Sequence, residues 1–267
     1  MDIGCPCVCK IYKPTLYGTA NRGGGAYGTL FKIGSNGSVF TKLRNLSSAT
    51  DGAYPEAALI VSGNTLYGTA AQGGSAGRGT IFKLNIDGTG FTNLHSFTNG
   101  TLDGSYPRAG LALLNNTLYG TTEHGGSSTN GTVFAVGTDS SGFAILHSFS
   151  ASTPTDNNPN SDGANPFGGV ILSGSTLYGT TSAGGTSGYG ALFSLTLAGP
   201  QVSLNRAGAE VIITWPTNAV GYSLQFTTNL VTPIAWSPAA PVATVVNGQN
   251  TVTNAVTGTQ KFYRLSQ

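Results

Sequence analysis

Charge is what this sequence has least of. Only 8% of its 267 residues are Asp, Glu, Lys or Arg, and the formal net charge is +2. The 12 Lys and Arg residues form no stripe that could neutralise phosphates, which excludes a nucleic-acid footprint. No apolar run approaches the ~20 residues of a membrane-spanning helix, so no membrane insertion is expected. No segment sustains a 3.6-residue apolar period over about 10 residues, which excludes helical repeats. Cysteine is scarce too. Cys5, Cys7 and Cys9 would share one face of a strand, where neighbours two apart bridge poorly, and no second Cys/His cluster completes a zinc site. The opening "MDIGCPCVCKIYKP" carries no apolar signal core, so either the protein is cytoplasmic or an export signal lies upstream of this start, and the second is expected.

Glycine is abundant: 40 residues, in a background rich in Ser, Thr and Asn, as an all-β chain with many tight turns requires. The glycines fall in a pattern. Asp-x-x-x-Pro occurs at Asp2–Pro6, Asp51–Pro55, Asp103–Pro107 and Asp162–Pro166, and Leu-Tyr-Gly-Thr has its glycine at 18, 68, 120 and 179. A Gly-rich loop follows ("RGGGAYG", "QGGSAGRG", "HGGSSTNG", "AGGTSGYG"), then a strand with Phe31, Phe82, Phe134 or Phe193.

The second unit contains four strand-like runs, "AALIVS" (57–62), "TLYGTA" (65–70), "GTIFKL" (79–84) and "FTNLHSF" (91–97). Gly/Asn/Asp hairpin chemistry separates them. Four short strands repeating about every 50 residues predict the blades of a β-propeller, and a parallel β-helix fits less well because its coil is shorter. Leu66 and Tyr67 would face opposite neighbouring blades, and Gly68 would allow close backbone approach. The predicted organisation is an all-β propeller of about four blades over residues 1–199, with a small β-sandwich of immunoglobulin or fibronectin type over 200–267. The fourth unit lacks a counterpart of "TNLHSF", so either a compact propeller or a fragment of a longer array is expected.

The unit "D-G-x-x-P … L-Y-G-T-x-x-x-G-G … G-T-x-F" resembles the GloVer-type tandem repeat of bacterial choice-of-anchor proteins. The resemblance covers about residues 1–199. It implies an exported repeat protein followed by a variable anchoring or spacer region, and it implies no catalytic residue set.

Several residues remain as candidates for chemistry. "GGSAG" (73–77) matches the Gly-x-Ser-x-Gly nucleophile pattern, but it sits in a hairpin loop rather than a strand-to-helix elbow. Asp2, Asp51, Asp103 and Asp162 could ring a channel mouth and hold a divalent cation such as calcium, or act as turn residues whose carboxylates accept backbone N–H bonds. His95 and His147, at one repeat position where the first unit has Arg44, could share a metal or be ordinary strand residues. Tyr17, Tyr67, Tyr119 and Tyr178 could be aromatic platforms for sugars, one per blade, or inter-blade packing. Glu123 and His124 give one loop copy both an acid and an imidazole.

The leading functional expectation is a non-enzymatic, exported or cell-surface binding module for a glycan or a surface protein. The alternative is a hydrolase with a metal-activated water in the channel. An incomplete propeller would further imply a homo-oligomer.

Overall fold

The computed structural model describes residues 7–12, 14–152, 159–197, 199, 201–216, 222–256 and 260–266, and none of these is helical. The chain divides into two compact units, Met1–Thr196 and Leu197–Gln267.

In the first unit each repeat is an antiparallel sheet whose strands pair in chain order. Blade I is β1 (Cys7–Tyr12), β2 (Thr15–Ala20), β3 (Thr29–Gly34) and β4 (Thr41–Asn45). Blade II is β5 (Ile60–Ser62), β6 (Thr65–Ala70), β7 (Thr80–Asn85) and β8 (Thr92–Ser96). A two-residue ladder joins β9 (Gly104–Ser105) to β12 (His124–Gly125). Blade III is β10 (Ala112–Leu114), β11 (Thr117–Thr122), β13 (Thr132–Gly137) and β14 (Ala144–Ser148). Blade IV has three strands, β15 (Ile171–Ser173), β16 (Thr176–Thr180) and β17 (Leu192–Thr196). First strands of successive sheets adjoin, β1 against β5 and β10 against β15. The sheets are therefore propeller blades, with their first strands innermost.

Each landmark of the repeat makes part of one joint. On β6, Leu66 packs with Tyr17 and Leu30 of blade I, while its neighbour Tyr67 packs with Leu118 and Phe134 of blade III. Strand alternation divides adjacent side chains between two interfaces in this way. Gly68 pairs across the ladder with Phe82, and a Cβ there would lie 2.7 Å from Phe82 Cζ and 2.6 Å from Leu59 Cδ2. Gly120 and Gly179 stand in the same relation to Phe134 and Phe193. The glycine is a recess for the aromatic ring.

The threonine reaches the next blade. Thr19, Thr69 and Thr121 donate from Oγ1 to the carbonyls of Ala57, Ala109 and Gly168 at 2.9, 2.9 and 3.1 Å. The glycine that opens each third strand makes room for the next blade's proline. A Cβ at Gly28, Gly79 or Gly131 would meet Cδ of Pro55, Pro107 or Pro166 at 2.5, 2.4 and 2.6 Å. Positive φ angles at those three glycines exclude larger residues a second time.

In the second unit, β18 (Ser203–Ala207), β19 (Glu210–Pro216), β23 (Gln249–Ala255) and β22 (Thr244–Val246) form one sheet in that order. The other consists of β21 (Ser237–Pro238), β20 (Ser223–Thr227) and β24 (Phe262–Ser266). Ile213, Trp215 and Val252 from the first sheet meet Leu224 from the second in a shared core, so the sheets pack face to face.

Candidate functional site

The three described Asp-x-x-x-Pro segments, at Asp51, Asp103 and Asp162, are latches onto the preceding blade. Asp51 accepts from Arg44 Nε and Nη2 at 2.8 and 2.9 Å, from Thr50 Oγ1 and from the Ser47 N–H. Asp103 accepts from His95 Nε2 at 3.0 Å, Thr98 Oγ1 at 2.7 Å, and the Thr98 and Gly104 N–H groups at 2.9 and 2.8 Å. Asp162 accepts from His147 Nε2 at 2.7 Å and from the Ser150 N–H and hydroxyl. Burial pushes the Asp103 pKa up, but the bonds from His95, Thr98 and Gly104 outweigh it and hold the carboxyl below its usual value. Asp162 is lowered likewise, with burial opposed by Ser150 and His147.

These pairings account for the residues considered as metal ligands. His95 and His147 each serve one aspartate, and His95 also stacks on Phe143 with centroids 3.6 Å apart. Among the described residues, no three His, Cys, Asp or Glu side chains gather as a group that could hold a metal ion. The carboxylate oxygens of Asp51, Asp103 and Asp162 are directed to partners within each joint. Asp2 lies outside the described residues. Tyr17 and Tyr67, expected as possible sugar platforms, are buried in the cores between blades. Tyr119 is half-buried, and Tyr178 on blade IV is 38% exposed. Ser75 is in the exposed loop between β6 and β7.

The same segments build a cleft. The residue before each proline has a left-handed backbone, Tyr54, Tyr106 and Asn165 with φ of 56, 57 and 52°. Their N–H groups donate to the preceding blade's carbonyls of Tyr27, Arg78 and Asn130. This turn delivers the residue after the proline, Glu56, Arg108 or Phe167, into an open cleft of about 510 Å³. Asn21 and the small residues Ala57, Ala58, Ala109, Gly110 and Gly169 complete its wall.

Arg108 is the centre of this cleft. Its Nη1 donates to both carboxylate oxygens of Glu56 at 2.9 Å, and its Nε donates to Glu123 Oε2. Asn21 Nδ2 donates to Glu56 Oε1 at 3.3 Å, and His124 Nε2 lies 3.7 Å from Glu123 Oε1. The guanidinium sits 5.2 Å from the ring centroid of Phe167, which is 52% exposed. Burial works against the Arg108 charge, yet the bonds to Glu123 and Glu56 and their negative charges raise its pKa. The cluster therefore offers two carboxylates, a fixed cation, an amide and an open aromatic face. It can hold a polar ligand that also has an apolar face.

Sequence reasoning passed over Glu56, Arg108 and Phe167. The available signal was variation. Every landmark around them is constant from unit to unit, while the position after the proline reads Cys7, Glu56, Arg108 and Phe167.

The described residues contain no helix long and apolar enough to cross a membrane. Comparison with curated proteins yields no match. Among solved structures, the chain is similar to one in a nidogen/laminin complex (17% identity, 78% of this chain and 70% of that one, TM-score 0.42). It is also similar to TolB from Acinetobacter baumannii (14%, 81% and 41%, TM-score 0.37) and to the phage phi92 endosialidase (15%, 90% and 41%, TM-score 0.43). The chain thus spans less than half the length of the last two. The model of the Gloeobacter/Verrucomicrobia repeat matches residues 12–161, more than half of the sequence and all of blades II and III. The chain belongs to the Gloeobacter/Verrucomicrobia repeat family.

Proposed function

We propose that this protein is a non-enzymatic binding module of the bacterial cell exterior, and that it takes a glycan in the cleft around Arg108. The observation that carries the reading is the Glu56–Arg108–Glu123 cluster beside the open ring of Phe167, where the residue after the proline changes in chemistry from unit to unit. A sugar ring has an apolar face that suits Phe167 and hydroxyls that suit carboxylates, guanidinium and the Asn21 amide. The reading replaces four equivalent tyrosine platforms with one site, and it requires no metal.

A low-charge, Gly/Ser/Thr-rich surface and the family's repeat architecture support an exported location. The second unit fits a spacer, and its strand order, β18-β19-β23-β22 facing β21-β20-β24, supports an immunoglobulin-like reading.

The test is a glycan array followed by titration of the strongest sugar. Phe167→Ala is expected to weaken binding about tenfold, the size of one lost aromatic contact, without changing the fold. Binding that survives Phe167→Ala and Glu56→Gln but is lost in Tyr178→Ala would place the site elsewhere. An array with no sugar bound would end the glycan reading.

A further inference from the structure

The ion pairs around Arg108 leave two polar atoms without a hydrogen bond. Arg108 Nε and Nη1 donate to Glu123 and Glu56, while Nη2 donates to nothing among the described residues. Glu123 accepts through Oε2 alone; its Oε1 lies 3.7 Å from His124 Nε2, beyond bonding distance. Among the described residues, the buried side-chain polar atoms that lack a partner are Asn93 Oδ1 and Trp215 Nε1. Arg108 Nη2 and Glu123 Oε1 therefore both keep access to solvent, and one ion pair offers a spare donor and a spare acceptor. The same side chains fix the local charge. Glu56 and Glu123 set two negative charges against the single positive charge of Arg108, and Arg78 is engaged by the Tyr106 hydroxyl at 2.9 Å. The rest of the cleft lining, Asn21, Phe167 and the Ala and Gly wall, carries no cation to offset them.

We propose that the cleft selects uncharged sugars, through a pair of adjacent hydroxyls, and excludes acidic ones. The inference rests on the glycan reading above and names the ligand class within it. A hydroxyl both donates and accepts. One hydroxyl accepting from Arg108 Nη2, with its neighbour donating to Glu123 Oε1, supplies the two bonds that the protein leaves unmade, and both are charge-assisted. A carboxylate or sulfate in that place accepts from Nη2 but gives Glu123 no proton. It also brings a further negative charge to a cluster of two carboxylates and one guanidinium. Charge thus separates two classes of glycan that present the same apolar ring face to Phe167.

The test is the glycan array read in matched pairs, each neutral hexose beside its uronate, followed by calorimetric titration of the full chain at low ionic strength. The neutral member of the strongest pair is expected to bind about tenfold or more tightly than its uronate. Deoxy analogues lacking either of the two contacted hydroxyls should each lose about three- to tenfold. Glu123→Gln removes one negative charge and keeps an acceptor oxygen, so it should close most of the gap between neutral and acidic sugars. Glu56→Gln is a second variant that acts in the same direction, and circular dichroism checks the fold of both. A uronate bound as tightly as its hexose, or a gap unchanged in both variants, would overturn this inference and leave the glycan reading standing. An array with no sugar bound, neutral or acidic, would end the glycan reading and this inference with it.

Discussion

Replacing Asp103 with alanine removes one latch and leaves its neighbours in place. The carboxylate accepts four hydrogen bonds, and their loss is unequal. Gly104 is buried, so its N–H, 2.8 Å from Asp103 Oδ1, is left without water or a partner at about 1–3 kcal/mol. Thr98 is exposed and water replaces the carboxylate there, which limits that loss to about 0.5–1 kcal/mol. The half-buried His95 adds about 1 kcal/mol. The sum is about 2.5–5 kcal/mol, and the buried amide decides it.

The assay follows from the positions of the aromatics. Both tryptophans, Trp215 and Trp236, are in the second unit, whereas nine of the 11 tyrosines precede residue 197. Urea unfolding followed by tyrosine signals should show the loss, while the tryptophan transition serves as an internal reference. Because the native pKa of Asp103 lies below the unfolded value of about 3.9, the latch contributes fully above that pH and is lost as pH falls through the native value. The gap between wild type and Asp103→Ala should therefore narrow as pH falls below about 4. A loss under about 0.5 kcal/mol, or a gap unchanged by acid, would refute the accounting.

Gly68→Ala places a methyl group against Phe82 and Leu59 and should cost about 1–3 kcal/mol, with Phe82→Leu in the same chain recovering part of it in thermal melts. Thr69→Val should cost about 1 kcal/mol by removing the bond to Ala109, whereas Thr180→Val, at an exposed position of blade IV, should be near neutral in the same melts. Calcium or a chelator should leave the melting temperature unchanged, since the latch aspartates spend their oxygens on protein donors; a calcium-dependent rise would return them to candidacy as ligands.

The propeller was legible because its determinants are local and repeated. Leu66 and Tyr67 could be assigned to opposite faces from alternation alone, and Gly68 could be recognised as a close-approach position without knowing that Phe82 fills the space. The latch was half legible. Asp-Gly with a following proline indicates a turn, and Thr98 N–H does donate to Asp103, but the partner across the joint is hidden by spacing. Arg44 precedes Asp51 by seven residues, His95 precedes Asp103 by eight, and His147 precedes Asp162 by 15 because an insertion intervenes. Strands β18, "SLNRA", and β23, "QNTVTNA", escaped notice because they are too polar to show alternation, and cross-strand pairing with β19 defines them. The cleft was not legible at all. Its residues come from four blades, and only the turn before each proline brings them together.

Each of the three joints among the described residues is assembled from one set of parts: a recessed proline, a hydroxyl on a carbonyl and a carboxylate on a basic side chain. Such a gene can duplicate or delete an entire module by unequal recombination and still encode matched neighbours on both sides of the scar. Copy number is therefore free to drift in a lineage while the letters within a module are held, and length variation should come in steps of about 50 residues.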